Sequence, residues 1–265
     1  MDTAKQPLVR ALRQALLSRP AQIITGPLAL ILLWYLMQRL HVLDDRLLPS
    51  PGATFVGLYH SVFFGTMLYD VYRTFLLVLY AFVLAACIGV PIGIVLGASA
   101  GFYRRVEFLV DFFRSIPATA LFPLFMLMFG LADFTKVTLA AFCACLIIIF
   151  NVAHGVLNAR KTRILAARSM GASRWRIFRN VIFYETLPQT FVGLRTGISI
   201  ALVVIVVAEM FIGATDGLGH RIIDAQMGYD LVNMYGSILI AGVLGYSLNY
   251  FFIATEKYLI HWAGH

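Results

Sequence analysis

The fold class of this chain is decided by residues 72–99, which read YRTFLLVLYAFVLAACIGVPIGIVLGAS. After Arg73 this stretch contains no charged residue, and a helix needs only about 20 apolar residues to cross the hydrocarbon core of a membrane. Its small residues recur at intervals of four, which places them on one face of a helix. The stretch therefore predicts a transmembrane helix with one face suited to close packing against a neighbour.

The composition of the whole chain agrees with this interpretation. Of its 265 residues, 60% are hydrophobic and 13% are charged, whereas soluble domains contain roughly 45–50% apolar and 25% charged residues. An ordinary soluble enzyme is therefore excluded. The high apolar content also argues against a disordered chain, and three cysteines are too few for a disulfide scaffold.

Six apolar runs predict the membrane spans. The third is the shortest, and the amphipathic residues 106–116 ahead of it are able to extend its helix through Pro117. The first follows a basic segment but lacks the cleavage site of a signal peptide, so it is interpreted as a retained span. The chain is thus predicted to be an all-α polytopic membrane protein with about six transmembrane helices, at Ile23–Leu40, Tyr72–Ser99, Pro117–Leu131, Thr135–Leu157, Phe191–Gly213 and Met234–Ile260.

The distribution of lysine and arginine predicts the orientation, because cytoplasmic loops carry the excess of both. One side of the predicted spans has fifteen of them and the other has three, when Arg39, Arg73 and Arg195 near the ends of spans are left out. Both termini are therefore predicted to be cytoplasmic. The basic excess is then a signal of membrane topology, so no nucleic-acid partner is expected.

This topology divides the chain into a basic cytoplasmic segment, residues 1–22, and a single transmembrane domain, residues 23–265. Inside the domain, five glycines are predicted to form close helix seams, either within the bundle or between subunits. We interpret them as packing residues rather than as substrate contacts. They lie at intervals of four on the second and fifth spans, at Gly89, Gly93, Gly97, Gly193 and Gly197.

The long basic loop at 158–189 still contains periodic apolar residues, and long loops of this kind are commonly functional. We predict two short helices broken near Gly171, with Ser173 capping the second. The second helix is expected to place Trp175 and Phe178 on one face and arginines opposite. Physical reasoning leaves two roles open, a helix lying on anionic lipid or a docking surface for another protein.

Residues 165–173, LAARSMGAS, together with the basic stretch that follows and Leu187-Pro188, resemble the EAA loop of ABC importer permeases. With GLRTG at 193–197 and VAE at 207–209, the chain resembles the branch that serves nitrate, sulfonate, taurine, bicarbonate and related substrates. There are two departures. Leu165 replaces the glutamate that gives the motif its name, and Phe183-Tyr184 stands where many members have a Leu-Pro pair.

The resemblance implies a type I ABC importer permease fold in the bacterial inner membrane. It also implies three kinds of protein partner besides membrane lipid: a second permease copy in a homodimer, two ATPase subunits and an extracytoplasmic binding protein that delivers a small solute. The solute is expected to be an anion such as nitrate, sulfonate, taurine or bicarbonate. The chain contains no phosphate-binding loop, so ATP and Mg²⁺ are expected on the partners. The implied ATPase-coupling residues are Ile164, Leu165, Ala166, Ala167, Arg168, Met170, Gly171, Ala172 and Ser173.

The alternative is an ion-coupled secondary transporter or channel that works without an ATPase. Such proteins often carry inverted repeats and intramembrane acids, whereas this sequence shows no convincing repeat and few such acids. A membrane enzyme would need a cluster of acid, base and nucleophile, and none is visible.

Polar residues within the predicted spans are candidates for the translocation path, because ionisable groups are costly there. These candidates are Asn151, His154 and Glu209, although Asn151 and His154 are also suited to hydrogen bonds between helices. Arg195 is placed near the inner boundary, where its side chain would reach headgroups or pair with the loop. The cysteines are interpreted as small buried thiols, and no metal or cofactor site is predicted.

The predicted outer loops contain more acidic than basic residues. Asp224 and Asp230 lie in the last of them and offer a surface for the binding protein.

Overall fold

The computed structural model describes residues 19–42, 44, 47–212 and 214–260, and it describes only the backbone of residues 19–24. These residues form helices and short connections, with no strand among them. Residues 1–18 of the predicted basic segment 1–22 lie outside the described residues, and residues 19–22 belong to the first helix.

The helices are numbered here in chain order. A 3₁₀ turn, Ala118–Leu121, precedes α5, and a π-helical turn, Phe178–Ile182, joins α8 to α9. The helices are α1 Arg19–Arg39, α2 Pro51–Phe63, α3 Met67–Gly97, α4 Ala100–Ser115, α5 Phe122–Phe129, α6 Asp133–Leu157, α7 Lys161–Ser169, α8 Arg174–Ile177, α9 Phe183–Phe211, α10 Leu218–Met227 and α11 Leu231–Leu259.

Four stretches in the described part of the chain are long and apolar enough to cross a membrane. They are Met67–Gly97, Asp133–Leu157, Arg174–Phe211 and Leu231–Leu259. The bent pair of α4 and α5 would be a fifth if both helices belong to one span. The prediction of an all-α membrane protein is therefore confirmed, with four to five such helices in place of the six predicted. The first predicted run corresponds to α1, which is not one of the four.

Helix α6 lies at the centre of the core, with α3 and α9 packed against it. The residues at these contacts are mostly alanine, valine and isoleucine, which allow helices to approach closely. Because α6 is apolar on more than one side, it is the most completely buried of the long helices. Fully buried side chains in this core include Ala81, Ala85, Leu139, Ala144, Ile148, Val152, Ala201 and Ile205.

The predicted extension of the third span through Pro117 is wrong. Helix α4 ends at Ser115, and the axis turns by 87° before α5. Proline disfavours helical backbone in the residue before it, and Ile116 is extended, with ψ 125°. The amphipathic helix and the apolar helix are thus two separate elements.

The boundary predicted between the basic loop and the fifth span is also wrong. Helical backbone runs without interruption from Arg174 to Phe211, so the span starts well before the predicted Phe191. Pro188, which the sequence analysis places in the loop, lies inside this helix. The predicted end at Gly213 lies outside the described residues.

Two further helices lie between spans. Ser50 caps α2, where its hydroxyl accepts from the Ala53 N–H at 3.1 Å and Pro51 occupies the first helical position. Helix α10 packs against α9 and α11, and α2 packs against α11. Both helices are therefore joined to the bundle at the end opposite α7 and α8.

Candidate functional site

The residues predicted to couple the chain to an ATPase lie on α7 and on the turn that follows it. Gly171 has φ +77°, a left-handed conformation that glycine adopts without strain, and it ends α7 as the sequence predicts. Ser173 then caps α8, where its hydroxyl accepts from the Arg176 N–H at 3.4 Å. Among the predicted coupling residues, Ala167 is buried, Ile164 and Ala172 are half-buried, and the others are exposed.

Large apolar side chains on this loop face solvent rather than the core. Leu165 is 58% exposed, Met170 81% and Trp175 68%. Trp175 stacks on Phe178 with ring centroids 5.8 Å apart, so the two share a face as predicted, and Ile177 is the buried residue of α8. The π-helical turn that follows adds a residue to one turn, so the simple 3.6-residue periodicity does not describe this segment.

A carboxylate that the sequence analysis did not single out connects α7 to α9. Glu185, in the first turn of α9, accepts a hydrogen bond from the backbone N–H of Arg160, which immediately precedes α7. It also accepts from Arg163 Nη1 at 2.7 Å. The sequence signal for this residue was an acidic side chain in the middle of a basic loop. Only the fold shows which groups donate hydrogen bonds to it.

The five predicted seam glycines all lie against α6. A Cβ added at Gly93 would come within 2.7 Å of the Val152 side chain, and one added at Gly97 within 2.6 Å of Val156. Added Cβ atoms at Gly89, Gly193 and Gly197 would likewise come within 3.0 Å or less of side chains on α6. Since real Cβ atoms rarely approach so closely, α3 and α9 cannot pack on α6 in this way with larger residues.

Asn151 and His154 point towards different neighbours. Asn151 accepts from Gln189 Nε2 on α9 at 3.1 Å and donates to the Ile147 carbonyl at 2.9 Å. The His154 ring lies beside Phe150, and its Nδ1 is 3.5 Å from the Tyr103 hydroxyl on α4. His154 also lines a cavity of ≈ 240 Å³ with Gly155, Asn158, Glu185, Pro188 and Gln189. His154 therefore lies close to the start of α7.

Glu209 is fully buried, with 1% of its surface exposed, and its carboxylate is well supplied with donors. The Thr74 hydroxyl donates to it at 2.9 and 3.0 Å, and the Gly219 N–H donates at 2.8 Å. The Leu218 N–H in turn donates to the Thr74 oxygen at 2.9 Å. Glu209 therefore caps the start of α10, where free N–H groups favour a negative charge, and it does not face the bulk solvent.

Ion pairs extend this cluster around Glu209. Arg73 on α3 donates to Asp133 at 2.7 Å and to Asp216 at 2.9 Å, so it joins three segments of the chain. Asp70 accepts from the Gly217 N–H and from Arg221, both at 3.1 Å. Lys136, which is almost fully buried, donates to Asp133 at 2.9 Å.

The cysteines do not form a site with other residues. Cys143 and Cys145 are half-buried on α6, but Cys87 is exposed on α3, so its predicted burial is wrong for this single chain. Among the described residues there is no group of three His, Cys, Asp or Glu side chains arranged to hold a metal ion.

Comparison with known proteins decides the family. Residues 89–262 match the model of the binding-protein-dependent transport system inner membrane component. The chain belongs to this family. As a member of it, the protein is a permease subunit of an ABC importer in the inner membrane, as the EAA-like loop predicts.

Individual relatives support the same assignment. The permease is 30% identical to a probable ABC transporter permease of Brucella melitensis, over 86% of this chain and 92% of the relative. It is also 30% identical to the putative aliphatic sulfonates transport permease SsuC of Bacillus subtilis, over 89% and 85% of the two chains. In three dimensions it resembles a chain of the MetNI methionine ABC transporter in an inward facing conformation, with TM-score 0.63 and 22% identity over 72% of this chain and 94% of that one. The structural likeness establishes the fold.

Proposed function

We propose that this permease forms the pathway for a small anion and is moved by ATPase subunits that dock on α7 and α8. The observation that carries this proposal is the exposure of Leu165, Met170 and Trp175, three large apolar side chains close to the break between α7 and α8. Exposed apolar residues rimmed by polar ones are typical of a surface that binds another protein.

The connection from this surface to the spans is short. Glu185 holds the start of α7 by two hydrogen bonds. The helical stretch that begins at Arg174 continues to Phe211 and so includes the predicted fifth span as far as that residue. A displacement of α7 is therefore transmitted to one end of α9 without an intervening flexible loop. The close seams of α9 and α3 on α6 favour motion of these helices as a unit.

The arrangement of partners follows from the family. Two ATPase subunits supply ATP and Mg²⁺ binding, a second copy of the permease completes the pathway, and a binding protein delivers the solute to the outer face. Both termini and the loop at 158–189 lie in the cytoplasm in this proposal, which the excess of arginine and lysine supports.

Docking is tested by photo-cross-linking in the assembled complex. A photoreactive residue at Met170 is expected to form an adduct with the ATPase, whereas the same residue at Tyr229, which is equally exposed next to α10, is not. Absence of an adduct at Leu165, Met170 and Trp175 in a complex that hydrolyses ATP would contradict the proposal.

An anionic substrate is supported by the similarity to a permease named for aliphatic sulfonates. The test is uptake into liposomes that contain the permease with its ATPase and binding protein. Labelled nitrate, ethanesulfonate, taurine and bicarbonate are compared with labelled choline. We expect ATP-dependent uptake of one of the first group and none of choline. Uptake of choline alone would contradict an anionic substrate.

A further inference from the structure

Arg195 is a charged residue in the middle of α9 for which the structure shows no partner. Its guanidinium makes no hydrogen bond or ion pair with any described residue, in contrast to Arg73 and Arg163 on the same chain. The side chain is half-buried. Glu185 and Glu209, the two acids of α9, already receive donors from other groups.

The depth of Arg195 follows from the length of α9. Glu185 marks the level of α7 and Glu209 the level of α10, and Arg195 lies ten residues from the first and fourteen from the second. At a rise of 1.5 Å per residue, these separations are about 15 and 21 Å. If a hydrocarbon core of about 30 Å lies between the two levels, Arg195 is well inside it. The side chain is therefore too deep to be explained as one that reaches headgroups from a helix end.

Arg195 also lies on the side of α9 that is turned away from α6. Gly193 and Gly197 contact α6, and residue 195 is offset from residue 193 by about 200° around the helix. Around the helix, Ser199 is about 40° and Thr196 about 100° from Arg195, and Thr196 is exposed. Their hydroxyls donate hydrogen bonds to the carbonyls of Val192 and Arg195, one turn back, so neither hydroxyl needs a partner outside the helix.

An unpaired arginine on such a surface is costly against lipid tails and is favourable only beside water or an anion. The guanidinium carries five donors in a rigid plane, which matches two oxygens of a nitrate, sulfonate or carboxylate group. The residue thus combines a positive charge with donors that suit an oxyanion.

We propose that Arg195 and Thr196 face the water-filled translocation pathway and that the Arg195 guanidinium binds the oxyanion group of the solute as it passes. This inference rests on the proposed function, because it takes the chain to form the pathway and the solute to be anionic. It assigns recognition of the anion to Arg195 rather than to Glu209, whose carboxylate already accepts a hydrogen bond from the start of α10.

The first test measures access and charge directly by thiol labelling. Thr196→Cys is introduced into a variant without Cys87, Cys143 and Cys145, and the assembled complex is placed in lipid nanodiscs. The sulfonate reagent MTSES and the trimethylammonium reagent MTSET then label the new thiol. We expect reaction with both, faster with MTSES, and a fall of about tenfold in the MTSES/MTSET rate ratio when Arg195→Gln is added, which corresponds to about 1.4 kcal/mol.

Two controls keep this labelling test decisive. Arg195→Lys retains the positive charge and is expected to retain most of the rate ratio, which separates charge from packing. Val243→Cys on α11, an exposed apolar position on one of the four long apolar helices, is expected to be unreactive because lipid covers it. If Thr196→Cys is as unreactive as Val243→Cys, or if its rate ratio is unchanged by Arg195→Gln, the proposal is overturned.

A second test measures transport by the complete complex. Arg195→Gln is expected to lower uptake of the transported anion at least tenfold. Lys257→Gln removes an exposed charge from the last turn of α11 and is expected to transport normally. Normal uptake by Arg195→Gln would overturn the assignment. The labelling rates need no transport, so they judge the site even if the wild-type complex fails to take up any anion.

Discussion

The two ends of α9 are both tied by a glutamate, but they hold their neighbours very differently. At the end next to α7, the inner end in the proposed topology, Glu185 binds α7 through one backbone N–H and one exposed arginine, and Gly171 beyond it has open space around its Cα. At the opposite end, the outer end in that topology, Glu209 is buried beneath α10, and added Cβ atoms at Gly217 and Gly219 would collide with it or with α9 backbone.

This difference separates a fixed element from an accessible one. Helix α10 is built into the bundle by buried hydrogen bonds and ion pairs, so it is expected to move with α3 and α9 as one body. Helix α7 presents apolar side chains to solvent and is attached at few points. A surface that receives force from a partner must be accessible in this way, whereas the outer end must keep its shape while the bundle rocks.

The largest effect on stability is expected from replacing Glu209, which caps α10. Glu209→Ala leaves the Gly219 N–H and the Thr74 hydroxyl buried without this acceptor, which costs roughly 3 kcal/mol or more. We expect a clear drop in the thermal unfolding midpoint of the purified permease, with a smaller drop for Glu209→Gln, which retains one acceptor oxygen.

The matched control is Glu256→Ala on α11, whose carboxylate makes no hydrogen bond with any described residue. It is expected to unfold near the wild-type midpoint. Equal midpoints for Glu209→Ala and Glu256→Ala would show that the outer end is not held as described.

At the inner end, the conformation of Gly171 is expected to be essential for coupling. Proline is fixed near φ −65° and cannot adopt +77°, so Gly171→Pro is expected to abolish ATP hydrolysis stimulated by substrate and binding protein. The permease should still be found in the membrane, because the residue lies outside the core.

Gly171→Asn serves as the control, since asparagine tolerates left-handed backbone and no atom obstructs its Cβ. It should retain most of the stimulated hydrolysis, as measured in liposomes. Normal coupling in Gly171→Pro would refute the role assigned to this turn.

Release of α7 from Glu185 should have a smaller effect. Glu185→Ala removes both hydrogen bonds, which contribute about 1–2 kcal/mol to holding α7, so we expect several-fold less uptake per ATP hydrolysed. Glu185→Gln keeps an acceptor for the Arg160 N–H and should lose less. An unchanged ratio of uptake to ATP hydrolysis in Glu185→Ala would mean that α7 is held by other contacts.

The smallest effect is expected at the outer surface. Asp224 and Asp230 line one cavity of ≈ 390 Å³ beside α10. Asp224 is chosen for substitution because Asp230 also caps α11. Asp224→Lys should slow association with the binding protein by about threefold at low salt, and less at high salt. Association rates that are equal to wild type at low salt would remove this surface from the docking site.

The sequence predicted the helices well because their apolar runs and small-residue spacing are local signals. The seam on α6 and the turn at Gly171 also follow from spacing and from the preference of glycine for left-handed backbone. Helix boundaries were predicted less well. Pro117 lies at a bend between two helices, whereas Pro188 lies inside one helix. The chemistry of proline alone does not predict which of the two occurs.

The roles of the charged residues were the hardest to predict, because their partners are distant in sequence. Glu185 meets groups 22 and 25 residues away, and Thr74 is 135 residues from Glu209. The sequence places Arg195 near the inner boundary because it starts the span at Phe191, whereas the helix starts earlier, and this earlier start underlies the deeper position that we infer. Periodicity locates helices, but the contacts between them require the fold.

The central claim is that this permease moves solute only when ATPase subunits act on α7. The most direct measurement is solute accumulation in liposomes that contain either the permease alone or the permease with its ATPase and binding protein. We predict accumulation only in the second case and only with ATP. Accumulation against a gradient by the permease alone, without nucleotide, would contradict the account.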